Sequence, residues 1–205
     1  MQTVINTLSK IKLSDGSPGA PNKGLRVMEC EACVAGKPRS DCPQCACDVI
    51  TFVAIYATNL FLPKLGEALA RRVAELAGSK ADFATTSKRA YFLVDQVVRV
   101  HVPAGIQLAS PEIAAKLRAL PAIDSPEKVD YLKLARLEVE SLEGIVCNGA
   151  MLSSELLKVL SALRAFEFGD VAYYMIQMLT YTHAPVDVLE LMDQLLAIKP
   201  TTAQC

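Results

Sequence analysis

Residues 125–146 read SPEKVDYLKLARLEVESLEGIV, and this stretch decides the fold. A serine, a proline and a glutamate stand at its head. The hydroxyl suits a helix N-cap, the proline suits a first helical position that needs no N–H, and the acid suits the positive end of the helix dipole. Behind them Val129, Leu132, Ala135, Val139, Leu142 and Val146 recur at steps of three and four, which lines one face of an α-helix. Leu134 and Leu137 fall on another face, so this helix is expected to be buried on more than one side.

The same grammar extends in both directions. Ser110-Pro111-Glu112 repeats the helix-opening signature. Leu152, Leu156, Val159, Leu163 and Phe166 form a second stripe, Gly169-Asp170 opens a helix over 171–182, and Pro185 opens the last. In that last helix Val188, Leu191, Leu195 and Ile198 keep heptad-like spacing. Toward the N-terminus, Asp48 reads as the N-cap of an apolar helix over 49–62, with Pro63 as its end or a kink. A second helix over 64–77 stops at Gly78, and a third near 83–102 ends at Pro103. Apolar residues almost never alternate with period two, and no repeat of 20–50 residues is present. The expectation is an all-α protein, a helical bundle of roughly seven to eight helices over residues 48–205.

Residues 1–47 differ in kind. An arm over 1–13 carries Val4, Ile5, Leu8, Ile11 and Leu13, and residues 14–24, SDGSPGAPNKG, can only be a loop. Four of the 10 glycines and four of the 11 prolines lie here, so the segment is irregular and too small for a core of its own. Five of the 7 cysteines crowd into residues 30–47, as Cys30-x2-Cys33-x8-Cys42-x2-Cys45 with Cys47 two residues on. Each CxxC can wrap a turn around a cation, and two such turns supply the four soft ligands of a tetrahedral zinc site. Pro43 pre-sets one turn, and Gly36 and Pro38 let the spacer double back. The spacing predicts structural zinc on Cys30, Cys33, Cys42 and Cys45, with Cys47 either a spare or an alternative to Cys45. An iron–sulfur cluster is the other metal reading, although the spacing matches neither ferredoxin pattern; free thiols and transient disulfides complete the set. Cys147 and Cys205 read as bystanders. A site closed by four thiolates leaves no position for substrate, so it contributes folding energy and performs no chemistry.

Composition narrows the function. Hydrophobic residues make up 52% of the 205 and mean hydropathy is +0.29, high for a soluble monomer. The longest uncharged run, Val49 to Pro63, has 15 residues and includes Thr51, Thr58 and Asn59. A spanning helix needs roughly 20 predominantly apolar residues, so no transmembrane segment is expected, and the excess apolar surface is assigned to subunit contacts. The first ten residues, MQTVINTLSK, lack the features of a secretory signal or a transit peptide. With the crowded cysteines this predicts an intracellular, reducing compartment: the cytoplasm, or a virion assembled there. Residues 1–136 carry 18 Lys+Arg against 13 Asp+Glu, and residues 137–205 carry 3 against 9. The resulting +5 and −6 describe either ordinary solvated faces or a molecule with opposite poles, suited to head-to-tail packing. Both chain ends are expected to be gripped by neighbouring subunits.

No catalytic constellation stands out. The two histidines, His101 and His183, sit at helix ends, and no phosphate-cradling, dinucleotide, zinc-protease or nucleophile-elbow motif is present. The aromatic and Met-rich YYMIQMLTY of residues 173–181 has helical spacing and reads as core or interface. The leading expectation is a non-enzymatic structural protein: a self-assembling shell or capsid-type subunit, or an accessory subunit of a large complex. The alternative is a nucleic-acid-associated zinc protein, a nucleocapsid or transcription cofactor. It would bind RNA or DNA phosphates through Lys10, Lys12, Lys23, Arg26, Lys37 and Arg39. Residues 1–47 net only +2, with no aromatic residue in the knuckle to stack on a base. Thiol or iron–sulfur redox chemistry is the weaker third reading.

Overall fold

The computed structural model describes residues 45–142 and 149–200. All regular structure among them is helical. Eight α-helices are α1 (Asp48–Ala77), α2 (Phe83–Gln96), α3 (Val102–Ile106), α4 (Pro111–Ala119), α5 (Tyr131–Glu140), α6 (Gly149–Ala165), α7 (Phe168–Thr182) and α8 (Val188–Ala197). A π-helical segment, Val97–His101, joins α2 to α3, and a 3₁₀ turn, Pro126–Lys128, precedes α5. The described residues form two compact units, one of residues 45–82 with 188–200 and one of residues 83–187.

In the first unit α8 packs along α1. Val49, Ile50, Val53, Ala54, Ala57 and Leu76 of α1 and Val188, Leu191, Met192, Leu195 and Leu196 of α8 are buried. The N-cap of α1 is Cys47, and Asp48 is the first helical residue, supplying the acid of the first turn rather than the cap. The two ends of α1 are tied together. The Cys47 N–H donates to Ser79 Oγ at 3.0 Å, and the Lys80 N–H donates to the Cys45 carbonyl at 3.1 Å. A straight helix of 30 residues would span about 45 Å, so α1 must bend back on itself. Pro63 stands at its middle, lacks the N–H of a straight rod, and is the residue expected to mark a kink.

The second unit is layered. α6 packs between α5 and α7, and α2, with the π segment and α3, packs along the other side of α7. The helix near 83–102 does not end at Pro103. It continues to Ile106, because the π segment changes the hydrogen-bond register just before the proline, with the Val102 N–H donating to the Val97 carbonyl. A π turn relieves the clash between a proline ring and the preceding turn. Three residues later Gly105 meets the end of α7. A Cβ there would stand 2.6 Å from the Thr182 carbonyl oxygen and 2.9 Å from Thr182 Cβ, so only glycine fits. Asp95 ties the following loop down, its Oδ1 accepting from the Ile123 N–H at 2.8 Å while Arg99 holds the same carboxylate.

Two expected boundaries move. Ser125-Pro126-Glu127 opens the 3₁₀ turn, and α5 itself begins at Tyr131. The Ser125 hydroxyl bonds the Glu127 carboxylate and draws it below the usual range instead of capping a helix. The stripe of α6 is buried at Leu152, Leu156, Val159 and Leu163 but does not include Phe166. That residue lies past the helix end with φ 60°, between the Phe166 N–H to Leu163 and Glu167 N–H to Ala162 bonds of a Schellman-type close. His183 ends α7 in the same way, at φ 48°, so it is a chain-reversal residue. Glycine is the usual occupant of such positions.

The stripe of α5 is buried at Val129, Leu132, Ala135, Val139 and Leu142; Val146 lies outside the described residues. The second stripe is not buried: Leu134 is 48% and Leu137 58% exposed. Leu156→Ala should therefore cost about 2–5 kcal/mol by opening a cavity, whereas Leu137→Ala should cost below about 0.5 kcal/mol. Urea unfolding of the two variants checks this, and equal losses would contradict the packing of α5. At the crossing of α3 and α7, Gly105→Ala should lose about 1–3 kcal/mol by overpacking, read in the same titration as a lowered midpoint at unchanged slope.

Candidate functional site

Three features of the described residues bear on function. The first is the anchor of the cysteine segment. Cys30, Cys33 and Cys42 lie outside the described residues, as do Lys10, Lys12, Lys23, Arg26, Lys37 and Arg39, so the structure brings none of them together. Cys45 and Cys47 are described. Cys45 is partly exposed and its carbonyl is held by the Lys80 N–H. Cys47 is buried, with its N–H on Ser79 Oγ and its carbonyl accepting from the Thr51 N–H at 2.9 Å. The last two cysteines of the run are thus fixed at the point where the two ends of α1 meet. Cys45 is half-buried and Cys47 packs inward.

The second feature is a polar depression of about 470 Å³ in the first unit, lined by Arg72, Glu75, Asp193 and Lys199. Its charges are largely matched within the protein. Arg72 grips Asp193 with both prongs, Nε to Oδ1 at 2.7 Å and Nη2 to Oδ2 at 2.6 Å, and gives its Nη1 to the Ala68 carbonyl at 3.0 Å. This hydrogen-bonded pairing draws the Asp193 carboxyl below its usual range. The arrangement is a clamp between α1 and α8 rather than a reactive site.

The third is an open trough of about 430 Å³ between α5 and α6, lined by Lys133, Arg136, Leu137, Leu157, Leu160, Ser161 and Arg164. Positions 133, 136 and 137 are one turn of α5; positions 157, 160, 161 and 164 are two turns of α6, so each wall is a single helix edge. Leu160 is buried and forms the floor, while Leu137 and Leu157 (48% exposed) are the shoulders. The helices run antiparallel, with Glu140 beside Ser153 (Ser153 Oγ donates to Glu140 Oε1 at 2.9 Å). Lys133 and Arg164 therefore gather toward the other end, beside Asp130, while Arg136 reaches toward Glu140. Lys133 pairs with Asp130, the N-cap of α5, at 2.6 Å, and Arg136 with Glu140 of the same helix at 2.8 Å. Arg164 makes no ion pair among the described residues; it acts on Asp130 from a distance, adding to the pull of Lys133 that lowers the Asp130 carboxyl.

The sequence pattern contains this site, since Leu134 and Leu137 break from the core stripe of α5. Periodicity identified a second apolar face but could not say whether anything covers it. The Met-rich stretch of α7 is core at Met175, Ile176, Met178 and Leu179 and exposed at Tyr173. Among the described residues no helix is long and apolar enough to cross a membrane. Compared with known protein families, with curated proteins and with solved structures, the chain has no match.

The clamp carries a pH signature. A carboxyl whose pKa is lowered by folding stabilises the folded state above its unfolded value, near 3.9, and that contribution is lost as pH falls through the folded value. Asp193 is half exposed, so solvent screening limits the pair to about 0.5–1 kcal/mol. Asp193→Asn should lower stability by that amount at pH 7 and by progressively less below about pH 4. Urea titrations of both proteins across this range would show it, and a difference that stays constant with pH would assign the loss to something other than the ion pair.

Proposed function

We propose that this protein is a non-enzymatic subunit of a larger assembly, joined to its neighbours through the outward face of the α5–α6 hairpin. The observation that carries the reading is the exposure of Leu134, Leu137 and Leu157 on two helices whose inner stripes are already fully buried. Apolar shoulders beside a shallow trough are left uncovered by the described residues, and clustered exposure of this kind marks contact with other proteins. The high overall hydropathy without a spanning helix has the same explanation.

In this reading the cysteine segment is a structural zinc knuckle. Cys30, Cys33, Cys42 and Cys45 are its ligands, and Cys47 is a packing residue at the head of α1. The four-thiolate set suits zinc, and the bond from Lys80 to the Cys45 carbonyl holds one end of the knuckle against the helical body. Zinc would give shape to a segment that has too few apolar residues to fold unaided.

Native mass spectrometry with metal analysis, on protein purified from its own source, tests both parts. The expected result is a mass well above the monomer, one zinc per chain, and no bound nucleic acid. A clean monomer at micromolar concentration without accompanying subunits would reject the assembly reading. Cys33→Ser or Cys42→Ser should lose the metal and weaken assembly while leaving helical content nearly unchanged, and Cys147→Ser should leave the metal in place. Full metal content in the first two variants would place the site elsewhere.

A further inference from the structure

We infer that the α5–α6 trough receives one amphipathic helix of a different polypeptide, with its leucines on Leu137, Leu157 and Leu160 and its carboxylates at Lys133, Arg136 and Arg164. This rests on the assembly reading above and adds the chemistry of the partner.

The geometry is that of a helix-in-groove site. Two antiparallel helices present walls spaced at i, i+3, i+4 and i+7, and a third helix laid along the trough would complete a three-helix layer by ridges-into-grooves packing. The trough is too shallow and open to enclose a small molecule, and its walls are continuous helix edges rather than the converging polar groups of a ligand pocket.

Charge selects the partner. Lys133 and Arg164 lie toward one end, where α5 begins and α6 ends, Arg136 lies nearer the other, and the middle is leucine. Lys133 and Arg136 pair with Asp130 at the N-cap of α5 and with Glu140 in its last turn, pairs that exchange readily with a partner's carboxylates. Arg164 has no competing ion pair among the described residues. A basic helix would meet three cations along the trough, offset by the two flanking carboxylates Asp130 and Glu140, whereas an acidic one would be steered in and fixed in register. Among its described residues a second copy of this chain does not supply the needed segment. Its acidic amphipathic helix, α8, packs along α1 with Leu191, Leu195 and Leu196 already buried and Asp193 held by Arg72.

The test uses the full-length protein and a fluorescent peptide of about 15 residues, long enough to form a helix on binding, with leucines at i, i+3, i+4 and i+7 and Asp and Glu beside them. A sister peptide carries Lys in place of each acid. The acidic peptide should bind, its affinity should fall as salt rises, and the basic peptide should bind at least about tenfold more weakly. Leu137→Asp should weaken binding by about tenfold or more. Lys133→Glu/Arg164→Glu should weaken the acidic peptide and restore the basic one. All these positions are exposed, so far-UV dichroism and thermal unfolding of the variants should match the parent. Equal binding of both peptides, or binding indifferent to Leu137→Asp and to the charge reversal, would overturn the inference. So would a homodimer that Leu137→Asp dissociates, because the occupant would then be a second copy. The assembly reading fails separately: the purified protein could prove monomeric and alone while still binding the peptide, or assemble through another face with Leu137→Asp without effect.

Discussion

Two hydrogen bonds, from the Cys47 N–H to Ser79 Oγ and from the Lys80 N–H to the Cys45 carbonyl, decide the shape of the first unit. They join residues more than thirty positions apart and so forbid α1 from being a straight rod. Because α1 must double back, α8 finds a surface of Val and Ile to cover. Because its two ends coincide, the cysteine segment enters the helical body at a fixed place instead of trailing from a helix tip. Ser79 is itself buried, and a hydroxyl in that setting with its partner removed would leave the Cys47 N–H unsatisfied, a cost of about 1–3 kcal/mol. A small side chain thus does the structural duty that a disulfide performs in exported proteins of similar size.

How much of this could be read in the chain depends on what each signal measures. Gly78 and Ser110-Pro111 mark helix boundaries correctly, because they change what the backbone can do locally. Pro63 and Pro103 have the same local effect, yet helical structure persists through both. At Pro63 the chain doubles back within α1, and at Pro103 a change to π register accommodates the missing donor. The stripe ending at Phe166 shows the limit from the other direction, since periodicity continued one step past the point where the helix had closed. Ser125 was legible as a hydroxyl at a helix entrance, but its nearer partner was the Glu127 carboxylate.

The candidate site was legible by half. Leu134 and Leu137 were visible as a second apolar face, but the expectation that the helix is buried on more than one side does not hold among the described residues, where both are exposed, because pattern encodes polarity and not coverage. Lys133, Arg136 and Arg164 gave no warning, being cations on helices where cations are ordinary. Only the antiparallel pairing of α5 with α6, which sets residue 140 near 153 and residue 130 near 164, turns three scattered charges and three leucines into one trough. The metal ligands have the opposite character. Their spacing is the whole of the signal, carried by residues adjacent in sequence and therefore readable without any fold.

The π segment at Val97–His101 has a consequence for how this protein can change over time. A π turn holds one residue more than the α turn it replaces, so the surplus residue is taken up within the turn and the helix beyond it faces as an uninterrupted α-helix would. Loss of one residue from this segment would return a regular helix and leave Gly105 against Thr182, where no side chain has room. The cost would fall instead on Pro103, whose ring and missing N–H would then meet an ordinary α turn. A residue can therefore be gained or shed here without disturbing the α3–α7 crossing, which makes the segment a place where the chain changes length inside a helix and not only in its loops.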